Sequence, residues 1–81
     1  MNLSEISKIT NEVLVEEFEV EEGLIIGKAN FRETLDLDSL DYVDLVVFVE
    51  ENFGVKLTAE DFQKVVTFDD FYNLISIKIN E

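Results

Sequence analysis

Apolar residues return every three or four positions along most of this chain, in blocks opened by polar cap residues and closed by glycine. That rhythm is helical, and it leaves little room for any other class of fold. Ile6, Ile9, Val13 and Leu14 follow it after Ser4, a plausible N-cap, with Leu3 placed to act as a hydrophobic staple. The pattern predicts a first helix over about Ser4–Phe18, fading into an acidic stretch that Gly23 stops. Asp38, followed three residues later by Asp41, opens a second helix that runs to Asn52 or Phe53, with Gly54 as its terminator. Thr58 caps a short turn over Ala59–Lys64. Thr67 with Asp70 opens the last helix, through about Ile79. Between the first two helices, Gly23–Leu37 reads as a long loop with Ile25, Ile26, Phe31 and Leu35 as anchors. Ordered loops of that length usually carry function. Strand signals are few and irregularly spaced. The expected fold is all-α: a small four-helix bundle of three longer helices and one short one, with a long loop between helices 1 and 2.

The chain has 81 residues and is expected to be a single domain over 1–81. Its apolar content, 47%, is enough for a core, though a modest one. Cys and His are both absent. No disulfide can staple the core, no thiol can act as a nucleophile, and the commonest general base and metal ligand is missing. Asp and Glu number 19 against 6 Lys and Arg, a net charge of −13. Such a chain is no nucleic-acid binder, because a phosphate backbone needs a basic footprint, and it is repelled by anionic membrane surfaces. Apolar runs such as Val46–Val49 are far shorter than the roughly 20 residues of a membrane span, so no stable membrane insertion is expected. Met1–Glu5 lacks the basic and apolar regions of a secretory signal, and cytoplasmic residence is the expectation.

The second helix carries two apolar stripes. At about 100° per residue, Leu45, Val46, Val49 and Phe53 share one arc. Leu40, Val43 and Val47 fall on the opposite side, flanked by Asp44, Glu50 and Glu51. A helix buried on most sides would hide both. Otherwise the second stripe is an exposed apolar patch with an acidic rim, suited to docking a basic protein partner. Asp36-Leu37-Asp38 fails as a calcium loop. The fifth and sixth positions are Leu40 and Asp41, and the twelfth is Val47 where a Glu is needed. No metal site is expected beyond weak, nonspecific divalent binding. Solvated acidic pairs on helix faces offer no catalytic dyad, and Ser39 has no His to activate it as a nucleophile. The chain is expected not to be an enzyme.

The string from Asp36 to Leu45 closely resembles the prosthetic-group attachment motif of acyl carrier proteins: Asp-Ser-Leu, two residues, Val, an acidic residue, Leu. Asp38-Ser39-Leu40, Val43, Asp44 and Leu45 all match. The resemblance extends over nearly the whole chain, through Phe31 and Leu35 in the loop, Glu50-Glu51, Phe53-Gly54-Val55 and the helix begun at Thr67. Asp36 departs from it, since many members have Gly there; a local change in the loop, without harm to modification, is the expectation. The resemblance implies that a phosphopantetheinyl transferase attaches 4′-phosphopantetheine from coenzyme A covalently to Ser39, with acyl groups carried on its thiol as thioesters. Asp38 would orient the Ser, cap the helix and serve the transferase's metal site. A group on Ser39 would also lie near the positive end of the helix dipole. Leu40, Val43 and Val47 would be the apolar contacts of acyl-chain-processing enzymes. Asp41, Asp44, Glu50 and Glu51 would meet their basic patches. Tyr42 falls on the core arc and reads as packing. Phe31, Leu35, Val49, Phe53, Phe62, Phe68, Phe71 and Ile75 are the expected core, part of which would open for an acyl chain. The leading expectation is a monomeric carrier for fatty acid biosynthesis. A specialised polyketide, aminoacyl or D-alanyl carrier, and an unmodified acidic interaction module, are the alternatives.

Overall fold

A computed structural model describes residues 1–80. Its elements are α1 (Leu3–Phe18), a 3-10 turn (Glu22–Leu24), α2 (Phe31–Leu35), α3 (Ser39–Phe53), α4 (Ala59–Gln63) and α5 (Phe68–Ile79). The all-α bundle is as expected. The three long helices are α1, α3 and α5, the expected short one is α4, a second five-residue helix is α2, and no strand forms among the described residues. The loop after α1 is more structured than its sequence suggests. It contains the 3-10 turn and the one-turn helix α2, whose N-cap Asn30 accepts a hydrogen bond from the Glu33 amide at 2.8 Å.

Local caps set the helix starts. Asp38, Thr58 and Thr67 each accept from the backbone N–H three residues on, and Asp41, Asp61 and Asp70 accept in return from the cap residues' own N–H groups. At α1 the cap differs from expectation. Asn2, not Ser4, takes the N-cap, accepting from the Glu5 amide at 2.8 Å in a full capping box, and Leu3 is the first helical residue. Gly23 is not the stop either. Phe18 ends α1, and Glu19 turns the chain in the left-handed conformation with φ 56°.

The core gathers Ile6 and Leu14 from α1, Leu45 and Val49 from α3, and Phe68, Phe71 and Ile75 from α5. Burying these large side chains is the main favourable term in folding. Phe31 and Leu35 fasten α2 to that core. Of the expected core residues only Phe53 is half-buried, at its edge. A row of rings crosses the interior. Phe68 lies edge-on to Phe31 at 5.1 Å, Phe31 stacks on Phe71 at 4.5 Å, Phe71 neighbours Phe62 at 6.2 Å, and Phe62 meets Tyr42 edge-on at 5.5 Å. These separations are those of favourable aromatic pairs. The row joins α2, α5, α4 and α3. Three backbone hydrogen bonds also tie the loop to the start of α5: Phe31 to Val66, Phe68 to Ala29, and Asp69 to Gly27. At Gly27 an added Cβ would fall 2.8 Å from the Asp69 carboxylate oxygen Oδ2, so the exposed Asp69 side chain would have to move aside.

Candidate functional site

Ser39 is the first residue of α3 and is exposed. Its neighbour does the capping: the Asp38 carboxylate accepts from the Asp41 amide at 2.9 Å, and Asp41 accepts from the Asp38 amide at 3.4 Å. That division leaves the Ser39 hydroxyl outside every side-chain hydrogen bond among the described residues. Ser39 follows a constrained junction. Asp36 ends α2 with φ 48° and ψ 45°, the left-handed region that L-residues other than Asn and Asp seldom visit. A Gly there would reach the same geometry at no steric cost.

Beside Ser39 lies an open cleft of about 420 Å³, lined by Arg32, Ser39, Tyr42, Val43, Val46, Leu57, Thr58, Ala59, Phe62 and Gln63. Its walls are α3 on one side and the Leu57–Gln63 segment, with α4, on the other. Arg32 of α2, itself exposed, also lines it. Tyr42 and Phe62, the last pair of the aromatic row, are part of its lining. Burial raises the Tyr42 phenol above its ordinary pKa, and the nearby Arg32 charge partly opposes that rise. Tyr42 therefore remains a neutral donor and packing residue. The Arg32 guanidinium donates to the Phe62 carbonyl oxygen at 3.3 Å, linking α2 to α4 beside the cleft.

The second stripe of α3 is exposed: Leu40 is 75% accessible, Val43 60% and Val47 47%, while Leu45 and Val49 on the other face are buried. The helix therefore does carry two separate apolar faces. Asp44, Glu50 and Glu51 are exposed beside the outer one. Asp41 is half-buried and engaged in the capping box, so it is less available than the other three. Val43 belongs both to the outer stripe and to the cleft, placing Ser39, the cleft and the stripe on one continuous surface.

Sequence reasoning named Ser39, Asp38 and the stripe but missed the opposite wall of the cleft. Thr58, Gln63 and Arg32 stand far from Ser39 or on another element, and only tertiary packing, of α4 beside α3 and of Arg32 on Phe62, brings them together. A signal for Arg32 did exist: it is the single arginine of the chain.

No helix among the described residues is long and apolar enough to cross a membrane. A family model described as a phosphopantetheine attachment site matches residues 11–75. An acyl carrier protein of Thermosynechococcus vestitus is 34% identical over 79 residues, 98% of this chain and 98% of its own length. An acyl carrier protein of Petrotoga mobilis is 35% identical over 80 residues, 99% of this chain and 94% of its own. In fold, the chain is similar to the crystal structure of an acyl carrier protein from Thermotoga maritima, with a TM-score of 0.78 at 24% identity, covering 99% of this chain and 93% of that one.

Proposed function

The chain belongs to the phosphopantetheine-bearing acyl carrier protein family, and from that premise we propose that Ser39 is the attachment point and that the cleft and outer stripe of α3 serve the attached arm and its enzymes. As a member of that family the chain is a carrier and not a catalyst, and it bears 4′-phosphopantetheine covalently. That group supplies a terminal thiol on which acyl cargo is held as a thioester for biosynthetic enzymes.

The observation that carries the assignment to Ser39 is its freed hydroxyl. Asp38 performs the cap, so Ser39 stands exposed at the first turn of a 15-residue helix, with no side-chain hydrogen bond among the described residues to break on modification. The residues around it fit the group. The unpaired N–H groups of the first turn favour an anion at this end of the helix. The cleft offers Val43, Val46, Leu57 and Phe62 as apolar contacts, with Thr58 and Gln63 as polar partners for amides. With no His in the chain, proton removal from Ser39 falls to the transferase.

Leu40, Val43 and Val47 supply the apolar contact for partner enzymes. Asp44, Glu50 and Glu51, with Asp41 at the edge, orient those enzymes through their basic residues. The acidic rim after Ser39 favours fatty acid biosynthesis as the pathway. The whole chain acts as one monomeric carrier domain in the cytoplasm. Incubation with coenzyme A and a phosphopantetheinyl transferase, followed by intact mass measurement, tests this reading. The expected result is the gain of one phosphopantetheine, and none by a folded Ser39→Ala variant. A wild-type chain that stays unmodified with several transferases, or a Ser39→Ala chain that is modified, contradicts it.

A further inference from the structure

Arg32 is the one cationic side chain in the wall of the Ser39 cleft. The chain holds 19 acidic residues, yet Arg32 pairs with none of those described: the single ion pair among them joins Lys78 to Asp61. Its protein contact is the 3.3 Å bond to the Phe62 carbonyl, which occupies one terminal nitrogen. A guanidinium has five N–H donors in a planar fork, so most of that fork remains open to the cleft. The Phe62 bond tethers the side chain at the cleft, whose lining it shares with Tyr42 and Phe62. Arg32 is exposed, and a tethered, planar, permanently charged donor lining a largely apolar cleft is suited to reading an oxyanion, because hydrogen bonds to it are charge-assisted and its fork matches a carboxylate or phosphate in geometry. Elsewhere on this surface the charges are predominantly negative and repel an anion.

We propose that Arg32 makes the cleft an oxyanion subsite, which holds either the phosphodiester formed at Ser39 or a carboxylate at the end of a short acyl cargo. The proposal rests on the assignment of Ser39 as the attachment point. A cargo with a neutral end would meet only the apolar lining. A carboxylate-ended cargo, or the phosphodiester itself, would gain the fork.

Four forms of the protein test it: apo, holo without cargo, holo loaded with pentanoyl, and holo loaded with glutaryl, whose chain matches pentanoyl but ends in a carboxylate. Intact mass is read first. A chain that takes no phosphopantetheine overturns both the assignment of Ser39 and this proposal. With the mass gained, NMR follows water exchange of the Arg32 side-chain N–H groups and the phosphorus signal of the arm. One charge-assisted hydrogen bond slows that exchange by about tenfold. If the phosphodiester is the ligand, the slowing appears on conversion to holo, and Arg32→Gln shifts the phosphorus signal. If a cargo carboxylate is the ligand, the slowing appears with glutaryl and not with pentanoyl. Equal exchange in all four wild-type forms overturns the subsite and leaves the assignment of Ser39 standing.

Discussion

The Lys78 ammonium, in the last turn of α5, lies 3.1 Å from the Asp61 carboxylate that closes the capping box of α4. A five-residue helix has almost no stability of its own, because nucleation costs more than one turn of hydrogen bonds returns. Asp61 therefore holds α4 twice. It accepts from the Thr58 amide at 2.9 Å to fix the start of the helix, and it pairs with Lys78 to fix the helix to α5. Both partners are largely shielded, with side-chain accessibilities of 11% for Asp61 and 21% for Lys78. Lys78→Met keeps the aliphatic stem and removes the charge. It is expected to cost about 1–2 kcal/mol in urea unfolding, between the values for exposed and buried pairs. Amide exchange of Ala59–Gln63 should speed up while the α5 core amides stay protected. Equal acceleration in both helices would show that the pair holds the whole bundle and not α4 in particular.

The same carboxylate sets an acid response. Burial acts to raise the pKa of Asp61, but the Thr58 amide, the Lys78 ammonium and the Thr58 hydroxyl together hold it below the usual value. Asp70 is lowered chiefly by the amides of Thr67 and Val66. An unfolded Asp titrates near pH ~3.9 and takes its proton before either folded group does. Stability from both groups is therefore fully present above that pH and is lost as pH falls through their lower folded values. Acid also relieves the repulsion within a chain of net charge −13, so the wild-type curve combines two opposite trends. Comparison with Asp61→Asn separates them. The variant should lose less stability than wild type on acidification below about pH 4. Parallel acid limbs would mean that the Asp61 carboxyl titrates alike folded and unfolded.

How much of this was legible in the sequence depended on how local each feature is. The capping boxes at Asp38, Thr58 and Thr67 involve residues three apart and could be read directly, and they placed α3, α4 and α5. The box at Asn2 has the same spacing, but Ser4, two residues on and just before the apolar pattern begins at Ile6, offered a competing cap. The apolar pattern placed the end of α1 at Phe18, but not the device that makes it, because Glu19 adopts a left-handed conformation that sequence usually signals with Gly or Asn. Five residues of α2 are too few for periodicity to show, although Asn30 and Glu33 mark its start. Helical geometry alone put Leu40, Val43 and Val47 on one stripe, but left open whether that stripe was exposed, which depends on how the helices pack. The cleft was not legible, since Arg32, Thr58 and Phe62 meet Ser39 only through tertiary packing. The pairing of Asp61 with Lys78, on different helices, had no local signature either.

Thr10 is 2% accessible, and its hydroxyl is the one buried side-chain polar atom without a hydrogen-bond partner among the described residues. Around it stand Val13, Leu45, Phe48, Val49 and Phe53, which offer no polar side chain. Burying an unpaired hydroxyl costs about 1–3 kcal/mol. Thr10→Val has nearly the same shape and removes that cost. A gain of about 1 kcal/mol in urea unfolding is expected, with α1 and α3 otherwise unmoved. A loss of stability would mean that the hydroxyl is satisfied in solution.

Asp36 holds a left-handed conformation at the end of α2, directly before the Asp38–Ser39 junction. Asp36→Gly removes the clash of Cβ with the backbone but adds freedom to the unfolded chain. The net expectation is a gain of about 0.5–1 kcal/mol. Modification at Ser39 should proceed at the wild-type rate, because the capping residues Asp38 and Asp41 are untouched. A slower modification with unchanged stability would show that the Asp36 carboxylate takes part in recognition by the transferase.

Charge reversal on the outer face of α3 tests docking. Asp44 and Glu51 are exposed and take no part in the side-chain hydrogen bonds or the ion pair among the described residues, so Asp44→Lys and Glu51→Lys should leave the fold intact. Each reversal removes one attraction to a basic enzyme surface and adds one repulsion. Rim charges act mostly on the rate of encounter, and a loss of about tenfold in coupling to a partner enzyme is expected for the pair at low salt. The loss should shrink as salt rises, because screening over a Debye length of about 8–10 Å mutes both the attraction and the repulsion. Thermal stability should move the other way. Moderate salt raises the melting temperature of the wild type by relieving self-repulsion, and it raises that of the double variant less, since two reversals reduce the excess negative charge. Coupling that is unchanged at every salt concentration would remove Asp44 and Glu51 from the docking face, even if the melting temperatures respond as expected.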